Sequence, residues 1–454
     1  MVVAAMALLP LGLAPPAMAG WPLYGHDLAN SRHARSAGPS PSQVPSMTQA
    51  WTFKSPTGDF TGTPVVSHGV LVAGDNGGTV YALDAATGRV IWSKKLGDPI
   101  VGTAAIAPRA GRGGTVYVPI AQIGRPRLVA LSLQRGRTRW ETTLIRHPGA
   151  DVFGSPVYWR GKVYIGTSGP NNDNTTARGS VVALDEQSGA IRWRTFTVPA
   201  GRDGAAVWST PAIDTDTGRL FVGTGNNYHR PTTNTEDSMM ALSTRTGRIL
   251  AHFQATANDS FSLPENPTGP DLDFGASPNL FAGASGKQLV GEGQKSGVYW
   301  TLDRRTMRPV WHQKVGPGSA VGGILGSTAF DGSRIYGADT VSGQVFALAR
   351  DGGQPWESLD SGGLHWSPTA VANDVLYTVD PEGLLTARDP RTGAILAKLP
   401  LGGFTFGGVS AAGERVYVAV GTGPPPDPLP QSDGPGSIVA FEAPAAPAGY
   451  IATR

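Results

Sequence analysis

Two aspartates one residue apart, Asp271 and Asp273, directly precede a short apolar stretch in GPDLDFGASPNLF. Carboxylates at the mouth of a strand serve as a general base or as ligands for a hard cation. Lys295, in GEGQKSGVYW, is a lone cation before the next strand and is suited to a ligand oxyanion. Trp208, in AVWSTPA, stands before another strand, where a flat indole could stack on a planar ligand. Asn226, in VGTGNNY, could offer an amide oxygen to a metal. Asp173, among the asparagines of SGPNNDNTTAR, has the oxygen-rich surroundings of a calcium site. Each residue also has a plain reading as a solvated turn residue, and 168–178 reads equally as an Asx-type turn. Taken singly, the residues leave both readings open.

A repeat must position them. GTVYALDAATGRVIW, at 78–92, reads as an apolar strand, a tight turn ending in Gly88, and a second strand closing on Trp92. Related units follow along the chain, and their closing positions are Trp51, Trp92, Trp140, Trp193, Ala251, Trp311, Trp356 and Ala397. The last unit, GSIVAFE at 436–442, lacks a closing strand, whereas TQAWTF at 48–53 is a closing strand without a unit. A ring explains both defects: the N-terminal strand completes the last blade and leaves no free sheet edge. A second series, which includes GTP at Gly62, GSP at Gly154, STP at Ser209 and WSP at Trp366, marks the innermost strands, where small residues fit around a crowded axis. The expected fold is therefore all-β, an eight-bladed β-propeller over 48–443, with an N-terminal extension at 20–47 and a tail at 444–454. The spacing of closing positions is longest between Trp140 and Trp311, and insertions of this kind map to loops on a binding face.

Composition agrees with this architecture. Glycine is abundant at 62 of 454 residues, only 16% of residues are charged, and apolar residues reach 40%. The net charge of +3 comes without a Lys/Arg block, which argues against a nucleic-acid partner. Residues 1–19 are apolar, interrupted by prolines, and end in Ala-Met-Ala, so they read as a secretory leader cleaved after Ala19. No later segment is long enough to span a membrane. The chain has no cysteine, which excludes disulfides, thiolate metal sites, covalent c-type haem and an N-terminal lipid anchor. The expected location is exported, periplasmic or secreted.

The repeat A-L-D-x-x-T-G-x-x-x-W resembles the blade motif of the pyrroloquinoline-quinone (PQQ) dehydrogenases, a family of eight-bladed propellers. AVWSTPAIDTDTGRLFVGTGNNY resembles that family's W…GTGN segment. GPDLDFGASPNLF, GQKSGVYWTLD and GGILGSTAFDG are most similar to the branch containing polyvinyl alcohol dehydrogenases. The resemblance spans roughly 21–442 and is most specific over 204–303. It implies a PQQ- and Ca²⁺-dependent dehydrogenase acting on a secondary or polymeric alcohol. It implies Trp208 beneath the quinone, Lys295 on the quinone oxygens, Arg178 on a quinone carboxylate, Asn226 and Asp173 as Ca²⁺ ligands, and Asp273 or Asp271 as the base. Two departures stand out: no Glu precedes Arg178 where the family commonly places a Ca²⁺ ligand, and the adjacent-cysteine disulfide of many members is impossible. Without haem, electrons would leave to a separate acceptor such as a cytochrome c. The alternative reading is a non-catalytic propeller for protein interaction or envelope assembly.

Overall fold

Each repeat unit folds as the third strand, turn and outer strand of a blade. In the first unit, Thr79–Asp84 is buried up to its last residue, while Val90–Lys95 alternates between exposed and half-buried. Asp84 Oδ1 accepts from the N–H groups of Ala86 (3.1 Å) and Thr87 (3.0 Å) and from the Thr87 hydroxyl (2.9 Å), which shapes the turn. Gly88 then takes φ 71°. The computed structural model describes residues 20–109, 113–169, 175–263, 266–359, 364–380, 382–421 and 435–444. The leader expected at 1–19, the tail beyond 444 and Asp173 lie outside them.

Eight antiparallel sheets of four principal strands follow in chain order. We number the blades from the one that begins at Val65–Ser67; blades two to eight begin at Ala105–Pro108, Val157–Trp159, Ala212–Asp214, Asn279–Ala282, Ala329–Phe330, Ala370–Ala372 and Val409–Ala412. In the eighth, Thr48–Lys54 pairs antiparallel with Ser437–Glu442, and Trp51 sits opposite Ala440. The ring is closed by the N-terminal strand. The only helical segment among the described residues is the short 3-10 turn Val44–Ser46.

The repeat tryptophan holds neighbouring blades together. Trp51 Nε1 donates to Ala85 O, and its ring lies on Gly88, where a Cβ would come within 2.6 Å of Trp51 Cε3. The same indole-to-carbonyl bond joins Trp92 to Leu133, Trp140 to Glu186, Trp193 to Thr244, Trp311 to Arg350 and Trp356 to Pro390, at 2.8–3.2 Å. Two closing positions, Ala251 and Ala397, lack the tryptophan, and the first supports the rule. Where the closing residue is Ala251, the facing turn carries Met307 instead of glycine, and Met307 is buried in the same apolar cluster as Ala251. Met307 keeps the turn's positive φ, 57°, without the glycine that eases it.

The small-residue motifs contribute hydroxyls as well as space. Around the axis, the Thr63 N–H donates to Thr103 Oγ1 (2.8 Å), Thr103 N–H to Ser155 Oγ (3.0 Å), Ser155 N–H to Thr210 Oγ1 (3.2 Å), Thr210 N–H to Ser277 Oγ (2.9 Å) and Ser277 N–H to Ser327 Oγ (2.9 Å). Each step crosses from one blade to the next, so the backbone donors at the crowded axis are satisfied by side chains rather than by a sheet ladder.

The N-terminal extension is woven into the ring. Gly20–Trp21 pairs with Val66 and Ser67, and His33–Ala34 with Val371 and Ala372. Between them, the carbonyls of Pro22, Leu28, Ala29, Ser31 and Arg32 accept from Ile106, Ile213, Leu280, Phe330 and Val371, one on each of five blades. Buried Asn30 donates to Thr210 O (3.2 Å) and Pro278 O (3.1 Å), while buried Arg32 donates to Thr369 O (2.6 Å) and Val409 O (3.2 Å). Each of these side chains ties two neighbouring blades together, Asn30 the fourth and fifth and Arg32 the seventh and eighth.

Candidate active site

The open end is built from strand termini. Trp208 precedes Ala212–Asp214, Asn226 follows Arg219–Gly223, Asp273 precedes Asn279–Ala282, and Lys295 follows Gln288–Gly293. In a propeller these termini share one face, so residues distant in sequence converge. All four line a central cavity of about 430 Å³, with Tyr24 of the extension also in its wall. Phe153, Leu325, Trp366 and Phe406 supply apolar surface. Trp366 and Phe406 pack edge to face at 5.1 Å.

Lys295 is the hub. Its Nζ lies 2.8 Å from Asp271 Oδ1, 2.9 Å from Asp273 Oδ2 and 5.8 Å from the centroid of the Trp208 ring. Asp273 Oδ1 accepts the backbone N–H of Asn226 at 2.7 Å. Asn226 donates its amide hydrogens to the carbonyls of Asn227 and Phe261, both at 2.8 Å, which leaves Oδ1 as the atom it can offer a ligand. Gly275 allows the chain past the indole: a Cβ there would sit 2.1 Å from Trp208 Cη2.

The charge balance is unusual. Burial alone would lower the Lys295 pKa, but the carboxylates of Asp273 and Asp271 overcome it and hold the ammonium well above the usual lysine range. Burial, then the charge of Asp273, pushes Asp271 up to about 7, with Lys295 pulling the other way. Two further carboxyls lie behind. Asp259 accepts the backbone N–H groups of Asp271 (3.2 Å) and Leu272 (2.7 Å), fixing the loop that carries both aspartates. Asp237 is buried, and burial followed by the charges of Asp273 and Asp259 drives it well above the usual carboxylate range.

The structure thus brings together Trp208, Asn226, Asp273 and Lys295, with Asp271 joined through the lysine. Arg178 is placed elsewhere. It does not line the central cavity; its Nε and Nη2 donate to Val198 O (3.2 and 2.7 Å), and its guanidinium lies over the Phe196 ring in a second cavity. Asp237 and Asp259 were not anticipated from the sequence. A signal for Asp237 was available: it opens its repeat, with φ 44°, where every other copy but the one at Pro126 opens with glycine.

The residues present fit a planar, oxygen-rich cofactor such as PQQ. The cavity offers the Trp208 ring, the Lys295 cation and three buried hydroxyls, Thr63, Ser168 and Ser209, that have no hydrogen-bond partner. Calcium is different. It takes about six to eight oxygens, whereas the described residues offer Asp273 and Asn226 Oδ1, with Lys295 already between the two aspartates. Among the described residues no group of three or more His, Cys, Asp or Glu is arranged to hold a metal. On those residues alone calcium does not fit.

Comparison with known proteins agrees with the fold. The family model described as outer membrane protein assembly factor BamB matches residues 45–262, 177–361 and 294–443, and the chain belongs to this PQQ-binding-like family of propellers. A polyvinylalcohol dehydrogenase from Pseudomonas sp. is 30% identical over 378 residues, covering 76% of this chain and 58% of the relative. One from Sphingopyxis sp. is 29% identical over 388 residues, with the same coverage. The chain therefore spans under two thirds of the length of these relatives. The quinohemoprotein alcohol dehydrogenase structure from Comamonas testosteroni superposes with a TM-score of 0.77 at 20% identity, covering 94% of this chain and 81% of that one. BamB from Moraxella catarrhalis superposes at 0.60 and 17% identity, covering 88% of this chain and 98% of that one. At these identities the superpositions speak for the shared fold.

Proposed function

We propose that this propeller is the catalytic domain of a PQQ-dependent alcohol dehydrogenase that passes its electrons to a separate acceptor. The observation that carries the reading is the convergence of Trp208, Lys295, Asp273 and Asn226 on one cavity with three unpartnered hydroxyls. When bound, PQQ would supply a two-electron acceptor. Trp208 would be its floor, Lys295 would meet its oxygens, and Thr63, Ser168 and Ser209 would meet its polar edge.

Asp273 faces the cavity and would take the proton of the alcohol hydroxyl. Two donors, the Asn226 N–H and Lys295 Nζ, hold its carboxylate in place. Lys295 touches both aspartates and would share the accepted proton with Asp271, whose carboxyl is poised near 7. Asp271 does not line the cavity, so we assign it the supporting role. The Phe153, Leu325, Trp366 and Phe406 wall would exclude water and favour an alcohol with apolar carbon around it. A secondary or polymeric alcohol is the substrate class that the two similar polyvinylalcohol dehydrogenases suggest. Export rests on the leader-like residues 1–19. No helix among the described residues is long and apolar enough to cross a membrane.

The second reading, a non-catalytic propeller, is supported by the family model's description. Against it stands the buried Asp271–Lys295–Asp273 cluster. Burying three ionisable groups is costly, and a blade can be built without them. The deciding experiment titrates the purified chain with PQQ, followed by absorbance, with and without calcium, and then assays alcohol oxidation with an artificial acceptor. A protein that binds no quinone and oxidises no alcohol would falsify the dehydrogenase reading.

A further inference from the structure

A second cavity, of about 510 Å³, lies between the outer strands of blades two and three. Its lining includes Arg146, His147, Arg178 and Arg194, set against the apolar surface of Ile145 and Phe196. The Arg178 guanidinium lies 3.7 Å from the Phe196 ring centroid and is fixed by two bonds to Val198 O. Arg194 Nη2 donates to Leu144 O, while its Nε is buried without a partner. The Gly149 N–H donates to His147 Nδ1, so the neutral ring carries its proton on Nε2, near the Thr176 hydroxyl.

Among the described residues no carboxylate lines this cavity, and Arg146, Arg178 and Arg194 form no ion pair. Several other arginines of the ring do have acid partners. Arg127 is paired with Asp98 and Glu141, Arg304 with Asp214, and Arg415 with Glu442. Burial lowers the pKa of both Arg178 and Arg194, and no acid offsets it. Two guanidinium groups held by backbone carbonyls, with donors to spare, are a prearranged fork for an oxyanion.

We infer that this cavity is a binding site, separate from the central channel, for a small carboxylate- or phosphate-bearing ligand held by Arg178 and Arg194, with Arg146 completing the positive wall and His147 offering its Nε2–H as a further donor. The Phe196 and Ile145 surface and the size of the cavity favour a ligand with an apolar body behind its anionic head. The inference does not depend on the dehydrogenase reading.

Isothermal titration of the full chain with inorganic phosphate, and separately with citrate, tests it at fixed ionic strength. We expect one saturable site for at least one probe, weakened about tenfold or more in Arg178→Gln/Arg194→Gln. The stronger probe identifies the head group as phosphate or carboxylate. Arg146→Gln removes an exposed charge and should weaken the same site by about threefold, which keeps the test decisive if the double variant does not fold. No saturable binding of either probe, or an affinity unchanged by Arg146→Gln and by a folded double variant, overturns the proposal.

Discussion

Asn226 and Asp273 stand 47 residues apart, on the loops of two adjacent blades, yet the backbone N–H of one donates to the carboxylate of the other at 2.7 Å. The bond fixes one oxygen of Asp273 and leaves the other to Lys295. A carboxylate held this way cannot rotate freely, and its second oxygen is aimed at a cation shared with Asp271.

Removing the proposed base should therefore be severe. Asp273→Asn should lower kcat by about a hundredfold or more in the quinone-dependent assay. Asp271→Asn should cost less. Asp273→Asn with full activity would remove Asp273 from the reaction.

The pH dependence has a definite sign. Asp271 is raised to about 7 by burial and by the charge of Asp273. With Asp271 protonated, the site has no second carboxylate to receive the accepted proton. kcat/KM should rise with pH and level off above about 7. In Asp271→Asn this rising limb should be lost, because the carboxyl that titrates near neutrality is gone. A profile that is flat from pH 5 to 8 in the unmodified protein contradicts this electrostatic account.

Trp208→Ala should weaken quinone binding by roughly tenfold, the scale of a lost stacking contact. Trp92→Ala, at a blade junction outside the cavity, should lower the melting temperature while leaving quinone affinity unchanged. Absorbance titration of both variants separates the floor of a site from a blade contact.

The exchange of Trp and Gly for Ala251 and Met307 can be tested by a double-mutant cycle. Ala251→Trp alone should destabilise, since the new ring meets Met307. Ala251→Trp/Met307→Gly should recover much of the loss, with a coupling of about 1–3 kcal/mol in denaturant unfolding. Additive effects would mean that the two positions do not share one contact.

Glu292 gives a stability prediction. It is fully buried, both its carboxyl oxygens lack a hydrogen-bond partner, and burial raises its pKa well above the ordinary 4.5. The folded state keeps this proton to a higher pH than the unfolded chain does. Its contribution is therefore full below the unfolded pKa and is lost as pH rises through the folded one, by about 1.4 kcal/mol for each pH unit between the two. Glu292→Gln should show a smaller drop in melting temperature between about pH 5 and about pH 8 than the unmodified chain. Equal slopes would show that Glu292 is not a buried neutral acid.

The ring was legible because its signals are local and repeated. A turn glycine, a strand of period two and a closing tryptophan recur, and the orphan strand around Trp51 announced the closure. Trp208, Asp273 and Lys295 were legible as departures from the repeat. Arg178 was not, because a residue at a strand's edge does not reveal which side of the blade its long side chain takes; Phe196 and Val198 O decided that. The way Asn30 and Arg32 tie neighbouring blades together was also hidden, since irregular chain carries no period. Glu292 was obscured by its neighbours, because GEGQKSG reads as a polar turn although the Glu292 side chain is buried.

The pairing of Thr48–Lys54 with Ser437–Glu442 has a consequence for how the molecule is made. Its partners lie near opposite ends of the described chain, so this contact is about as non-local as the polypeptide allows. During synthesis the early blades can form while the strand around Trp51 waits, its backbone groups unpaired, for residues 437–442. Until they arrive the growing protein presents raw sheet edges to its surroundings. Assembly is then less like zipping than like fastening a belt, and the interval before the buckle closes is when the chain is most exposed to aggregation and proteolysis.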